Sequence, residues 1–534
     1  MTNLYSNSVS IVVVNNITGR AIYNIRQSIR QGDKASMEWF TYGIDPVINY
    51  LEKRLRGILI HSLPVHGPLP SPLAPPLSPQ ELRYKVIAYC DDVKPAITCM
   101  QEFILVNKAM DLFEKSSGCK MHRDPASGKC KFLPLGRWRG TLSQEDLPCN
   151  FFSLSDHLDM LGVTLKATYI ATRKANGDEL QNRIKNVVGP WKAGKFMPLI
   201  MRPHSLNCYA FSQLWHKASN IDFRVGDVLF INQQAKSWLY ADLLEKPAEL
   251  ALYRHTSDGG LGLQHIQARA LANLINNFLE TACNPIFQRN QYHEALYKQY
   301  VLGDTSHNLP IPPQYKGDFF PAIQRIHSSP LGSRRIGIKK IYSFLLEEIL
   351  KDQQAQTLIP LRIEIASPTT KWMNTWRMAR QRNLGPDLTS FLFKMLHNIL
   401  PTSDRVSRIL PNQSPLCTRC TDNGESIETL QHAFFDCVTS SETSQPLVDG
   451  LKLIIPSITP GKIITLDFEC EEHLSFPLTW IIAHFLWSLW GLRTSRKTIK
   501  LINIRTDLEA SCRLLRESRL NQTMEILKLI LPDL

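Results

Sequence analysis

Apolar and polar positions recur with two different periods along this chain, and the changes of period mark its elements. Val9-Ser10-Ile11-Val12-Val13-Val14 is a β-branched run. Asn15-Asn16 and Gly19 supply turn residues, and a second apolar segment continues through Ile22 and Ile25, which predicts a hairpin. From Ser36 to Arg54 the period becomes helical, with Met37, Phe40, Ile44, Val47, Ile48 and Leu51 on one face. Asp33 is placed to cap that helix, and Gly32 permits close backbone approach. Tyr84-Lys85-Val86-Ile87-Ala88-Tyr89 returns to strand character and runs into Cys90-Asp91-Asp92, a strand that turns at a pair of carboxylates.

Residues 151–300 read as mostly helical. Leu180, Ile184, Val187 and Val188 share one face of the segment from Gly177 to Trp191, and apolar residues at helical spacing continue through Trp215 and Trp238. Ile341 to Leu350 also reads as helix, and Trp376, Phe391, Phe393, Leu396 and Leu400 introduce a compact helical unit. The longest apolar run, Leu478 to Leu492, holds His484 and is too short to span a bilayer comfortably, so it reads as a buried helix. Residues 64–79 interrupt both periods. Their seven prolines predict an extended, polyproline-like insertion, a linker or a ligand for a partner domain.

Composition narrows the class. The chain has 534 residues, enough for about three or four domains. Its 43% hydrophobic and 20% charged residues are those of a globular protein with a sizeable core. The net charge of +13 fits a partner with a phosphate backbone. Twelve scattered cysteines with no secretory signal before them point to reduced thiols and an intracellular setting, nuclear or cytoplasmic, with no membrane partner.

Two groups of residues carry candidate chemistry. Asp91 and Asp92 at the tip of a hairpin suit divalent metal binding, Mg2+ or Mn2+, of the kind that clamps attacking and leaving oxygens in phosphoryl transfer. Asp-Asp is also an ordinary turn dipeptide. The second group is Cys417-x-x-Cys420, eleven residues, His432, four residues, Cys437. Two cysteines in a knuckle followed by a histidine and a cysteine suit a closed, tetrahedral Zn2+ site, the alternative being unrelated free thiols. His432 and Cys437 are five apart, about one and a half helical turns, so a distorted helix or a helix end is expected between them.

Arg30-Gln31-Gly32-Asp33-x-x-Ser36-Met37 followed by Ala88-Tyr89-Cys90-Asp91-Asp92 resembles two consecutive core motifs of reverse transcriptases, in particular the polymerases of LINE-type (non-LTR) retrotransposons. Later segments agree in order and spacing. Ser117-Gly118-Cys119-Lys120 with Lys129-Cys130-Lys131 looks like the next motif, and Leu161-Gly162-Val163 looks like the primer-grip turn. Asp258-Gly259-Gly260-Leu261-Gly262-Leu263 looks like a glycine-rich signature after the thumb, and the Cys-Cys-His-Cys set resembles the family's C-terminal element.

The resemblance implies an α+β fold. A partial right-hand palm, antiparallel sheet plus helices, would occupy 1–165, with the proline-rich insertion at 64–79. A helical thumb and connection would follow at 166–300, a helical linker region at 301–400, the zinc module at 401–440 and a helical C-terminal region at 441–534. It implies that Asp91 is the metal ligand at the primer end with Asp92 beside it, and that Arg30, Gln31 and Gly32 contact template and nucleotide. Lys129 would assist the leaving pyrophosphate, with Lys131 competing for that role. The partners would be an RNA template, an RNA/DNA or DNA primer duplex, and deoxynucleotides. Basic residues Lys192, Lys195, Arg202, Lys217 and Lys236 would line the thumb, and those from Arg493 to Arg519 the tail. Cys90 departs from the family's usual Ala. The larger departure is that no Asp or Glu precedes Asp33, so the family's first catalytic strand has no counterpart here. The expectation is a polymerase fragment inactive alone, or a non-catalytic nucleic-acid-binding protein derived from such an element.

Overall fold

In a computed structural model the described residues are 9–14, 17–24, 36–63, 80–89, 92–117, 123–124, 128–191, 197–241, 243–283, 291–306, 308–330, 336–354, 370–420 and 426–532. They form a mixed α+β structure that is mostly helical, with small two-stranded sheets. The chain divides into two compact units, Met1–Thr172 with Gln288–Pro313, and Arg173–Phe287 with Gln314–Leu534.

The first unit holds the strands. β1 (Val9–Val14) and β2 (Ile17–Asn24) pair antiparallel, with a bulge between Ile11 and Val13. α1 (Ser36–Arg54) has the bounds its periodicity predicts. β3 (Ile58–Leu63) pairs with β4 (Gln80–Tyr84), and the proline-rich residues 64–79 between them lie outside the described residues. β5 (Val86–Tyr89) pairs antiparallel with β6 (Asp92–Pro95), and α2 (Met100–Ser117) follows. Leu51 of α1 and Leu55 just after it meet Val106 and Ala109 of α2 in a small core that also takes Val86. Glu102, buried at the start of α2, accepts from the Arg56 N–H (2.7 Å) and the Thr98 N–H (2.6 Å), so a carboxylate ties the end of α1 to the entry of α2.

Short strands complete this unit. β7 (Lys131–Phe132) runs parallel to β8 (Ser153–Leu154), and β9 (His157–Met160) pairs antiparallel with β10 (Val163–Lys166). The two residues between β9 and β10, Leu161 and Gly162, have φ of 48° and 77°. A two-residue turn with positive φ at both positions matches the right-handed twist of its flanking strands. Residues 151–300 therefore open as strand rather than helix, because Ser153–Lys166 alternates over segments too short for a helical face. Among the described residues, strands join only in twos.

The second unit is helical. α3 (Tyr169–Val188) buries Leu180, Ile184 and Val188 against α5 (Ser212–Ala218) and α6 (Val225–Leu239), after the single turn α4 (Arg202–Ser205). α7 (Glu249–Tyr253), α8 (Ile266–Cys283), α10 (Phe319–Ser328) and α11 (Ile338–Gln354) follow, α9 (Gln291–Tyr300) belonging to the first unit. A second, larger core then runs from α12 (Trp372–Ala379) and α13 (Pro386–Leu396) through α15 (Val438–Ile454), α16 (Pro460–Thr465), α17 (Glu472–Thr494), α18 (Leu501–Cys512) and α19 (Glu517–Ile530), with α14 (Ser403–Ile409) at its margin. α17 contains the long apolar run and is buried along most of its length. Among the described residues no helix is long and apolar enough to cross a membrane.

Candidate metal centre

The zinc candidates come together. Cys417 is fixed by an isolated antiparallel bridge, Leu416 to Ile427, with the Cys417 N–H donating to Ser426 O (2.9 Å) and the Glu428 N–H to Pro415 O (2.9 Å). Thr418 and Arg419 lead to Cys420. His432 opens a wide helical turn, His432–Asp436, which closes when the Cys437 N–H donates to His432 O (2.8 Å). That five-residue bond is the distortion their spacing demands, since an ordinary helix carries positions i and i+5 to different faces. Cys437 is also the residue from which α15 starts, so its sulfur lies at a helix N-terminus, where negative charge is favoured.

The geometry fits zinc. One ligand atom from each residue lies within 4.8 Å of all the others. Cys417 Sγ is 3.8 Å from Cys437 Sγ, Cys420 Sγ is 3.5 Å from Cys437 Sγ, and Cys420 Sγ is 3.4 Å from His432 Nε2. A tetrahedron with Zn–S of about 2.3 Å has edges of about 3.8 Å, whereas a disulfide requires about 2.0 Å. All four residues are buried. Burial opposes ionisation of Cys417, but the donors on it, Arg493 first and then the Arg419 backbone and His432, hold its thiol down at about 6. Cys420 moves the other way, pushed up to about 11 by burial and by the sulfurs of Cys437 and Cys417. Four protein ligands would leave no open coordination position, so a metal held here would be structural in kind.

The surroundings include residues that the sequence pattern places elsewhere. Arg493, in the last turn of α17, donates through Nη2 to Cys417 Sγ (3.4 Å) and through Nη1 to Cys437 Sγ (3.8 Å). Its Nε donates to Glu428 Oε1 (2.7 Å), and Nη2 also bonds that oxygen. In the sequence Arg493 only opens the basic run that extends to Arg519. No local signal marks it out, because its carboxylate and thiol partners lie 65 and 76 residues earlier.

The polymerase candidates are described only in part. Arg30, Gln31, Gly32 and Asp91 lie outside the described residues, as does the Gly118–Lys120 part of the next motif. Asp92 opens β6 opposite Tyr89, its carboxylate about half exposed and 3.3 Å from Lys94 Nζ. Lys129 is exposed just before β7. Its competitor Lys131 is engaged, with Nζ 3.5 Å from Asp159 Oδ2 and 3.2 Å from His157 Nε2. Among the described residues, the Cys/His cluster is the group of three or more His, Cys, Asp or Glu side chains placed to hold a metal.

The thumb cations are mostly not at the surface. Arg202 is buried and donates to the Met197 and Leu239 carbonyls, and Lys217 is buried against Asn176 Oδ1 (2.9 Å) and Glu179. Lys236 pairs with Glu249. Arg202 and Lys217 are used inside the helical unit, where a buried cation needs carboxylate or carbonyl partners at once. Lys192 and Lys195 lie outside the described residues. In the tail, by contrast, Arg496, Lys497 and Lys500 are exposed directly after α17. Arg419 of the knuckle reaches the Lys497 carbonyl (3.4 Å), and burial first, then repulsion from Arg493 and Arg496, lowers its pKa.

No protein-family model matches the chain, and no curated protein matches it.

Proposed function

We propose that this chain is the polymerase and C-terminal part of a LINE-type reverse transcriptase, and that by itself it holds template–primer without extending it. The observation that carries the reading is the register of β5 and β6. Tyr89 at the end of β5 stands opposite Asp92 at the start of β6, and Cys90 and Asp91 between them lie outside the described residues. A strand pair on either side of the motif supports the reading in which Asp91 would be the metal ligand at a primer end. Lys94 Nζ lies 3.3 Å from the Asp92 carboxylate.

Two-metal transfer needs carboxylates on both sides of the metals. The 32 residues before Asp33 contain none. Binding, in contrast, needs only cations and a stable frame. The exposed Arg496, Lys497 and Lys500 beside the Cys417–Cys420 knuckle fit phosphate contact. This favours the second reading as well, a non-catalytic nucleic-acid-binding protein derived from the same element.

Primer extension on an RNA template with Mg2+ or Mn2+, run beside fluorescence anisotropy on the same duplex, tests both. Salt-dependent binding without incorporation is the expected result. Incorporation that disappears in Asp91→Ala would restore full catalysis to the chain, and absence of binding at low salt would overturn both readings.

A further inference from the structure

A zinc ion held by three thiolates and a neutral imidazole carries one net negative charge, and here that charge is buried. Buried charge is tolerated only when it is paired and hydrogen-bonded. The pairing comes from a helix remote in sequence. Arg493 straddles two of the three sulfurs, at 3.4 Å from Cys417 Sγ and 3.8 Å from Cys437 Sγ. Its guanidinium is oriented by Glu428, which accepts from Nε at 2.7 Å and from Nη2. Glu428 is fixed in turn, because its other oxygen accepts from the Ser403 N–H (2.9 Å) and the Ser403 hydroxyl. Arg419, inside the Cys417–Cys420 knuckle, donates to the carbonyls of Arg493 (2.7 Å) and Leu492 (3.4 Å). With two arginines and one glutamate around it, the loaded cluster is neutral.

We propose that Arg493, oriented by Glu428, is the outer-sphere counter-ion of the zinc site, so that zinc occupancy and the seating of the last turn of α17 on the knuckle form one coupled equilibrium. The two halves of this coupling follow from the same contacts. Without Arg493, three thiolates repel one another in a buried pocket and hold the metal less tightly. Without the metal the sulfurs are no longer drawn together, Arg493 loses the paired anchor that Cys417 and Cys437 give it, and the Arg419 contacts to the Leu492 and Arg493 carbonyls loosen. Arg493 is a positioning residue, since it touches ligand sulfurs and not the metal. The coupling is independent of the polymerase reading.

The test uses the full chain and two readouts. Zinc affinity is measured by competition with a colorimetric chelator for wild type, Arg493→Met, Arg493→Lys and Glu428→Gln. Hydrogen exchange follows the amides of 487–494 with and without chelator. Removal of outer-shell partners of this kind weakens metal binding by about 10–100-fold. Arg493→Met is expected to fall in that range, with Arg493→Lys weakened less because the charge remains. In wild type, chelation is expected to accelerate exchange at 487–494, and in Arg493→Met that dependence on zinc disappears. Unchanged zinc affinity in Arg493→Met, with equal destabilisation of the loaded and stripped forms, would reduce Arg493 to a packing salt bridge and overturn the proposal. Should Arg493→Met fail to fold, Glu428→Gln carries the test: faster zinc release supports the coupling, and unchanged release overturns it.

Discussion

Gly259 lies against the ring of Trp376 so closely that a Cβ on it would stand 2.2 Å from Cε2. Its φ is 79°, and its carbonyl accepts from His397 Nε2 at 2.8 Å. The next residue is held as tightly, for a Cβ on Gly260 would meet the Arg254 carbonyl at 2.0 Å, and Arg380 donates to the Gly260 carbonyl (2.8 Å). Gly259→Ala is therefore expected to cost about 3 kcal/mol or more, since overpacking and a left-handed backbone act together. Urea unfolding measures it. Pairing the variant with Trp376→Leu is expected to recover part of the deficit, as contacting residues are not additive. A single-variant cost under about 0.5 kcal/mol, the size of an ordinary surface substitution, would mean that the ring moves aside freely.

The same segment shows what is legible in the sequence. Local patterns suffice where an element is self-contained: α1 follows from its period, the β5–β6 pair from its β-branched run, and α17 from its apolar length. The Cys417, Cys420, His432 and Cys437 group is legible because its spacing is that of a candidate metal site. The reason for the glycines is not, because Trp376 comes from α12 and His397 from the end of α13, more than a hundred residues later in the chain. Arg202 and Lys217 mislead for a related reason. Their charge suggests solvent, but their carbonyl and carboxylate partners are supplied by other helices, so only the fold reveals them as interior.

Leu161 stores strain that a better turn residue would relieve. It sits at φ 48° between β9 and β10 and is about half exposed, so its side chain gains little from burial. A non-glycine residue in that region costs about 1–2 kcal/mol. Leu161→Asn is expected to raise the melting temperature, by an amount corresponding to about 1 kcal/mol. A lower melting temperature would show that the exposed leucine is needed by contacts within the hairpin. A higher melting temperature with weaker template–primer binding would place the strain in the service of that surface.

Removing the metal should be felt throughout the C-terminal core, since Leu430, Phe434 and Phe435 around the zinc ligands belong to the same apolar cluster as α17 and α19. Purified chain is expected to carry about one equivalent of zinc, as a closed four-ligand site implies. Cys417→Ser should reduce that equivalent and lower the melting temperature, and chelation of the wild type should reproduce the shift. Zinc content well below one equivalent, unchanged by the substitution, would refute the site.

His484 predicts an acid limb in the stability curve. It is buried in α17 with its ring 4.2 Å from Trp480 and 5.6 Å from Trp487, and burial lowers its pKa from 6.5 to about 4. An unfolded chain takes up the proton near pH 6.5 while the native chain still refuses it. Stability from this group is therefore complete above that value and drains away as pH falls towards 4, by up to about 3 kcal/mol at about 1.4 kcal/mol per pH unit. Acid also releases metal from thiolate and imidazole ligands, so wild type and His484→Phe should be compared with both stripped of metal. The difference between their stabilities is expected to shrink between pH 6.5 and 4. A constant difference would show that the imidazole takes up its proton as readily in the folded state as in the unfolded.

The salt dependence of nucleic-acid binding separates the two basic groups. Arg202, Lys217 and Lys236 of the helical unit are bonded internally or paired, whereas Arg496, Lys497 and Lys500 are exposed. Every phosphate left without its cation should reduce the slope of log K against log salt by about 0.7–0.9. Replacing all three tail residues with Ala is thus expected to lower the slope by about 2 and weaken binding to all sequences alike. Lys236→Ala should leave the slope unchanged, because its partner Glu249 already neutralises it. Lys217→Ala should cost stability, since Glu179 would be deprived of its buried partner. The reverse pattern, with the slope insensitive to the tail and sensitive to Lys236, would move the phosphate track from the knuckle side of the C-terminal core to α6.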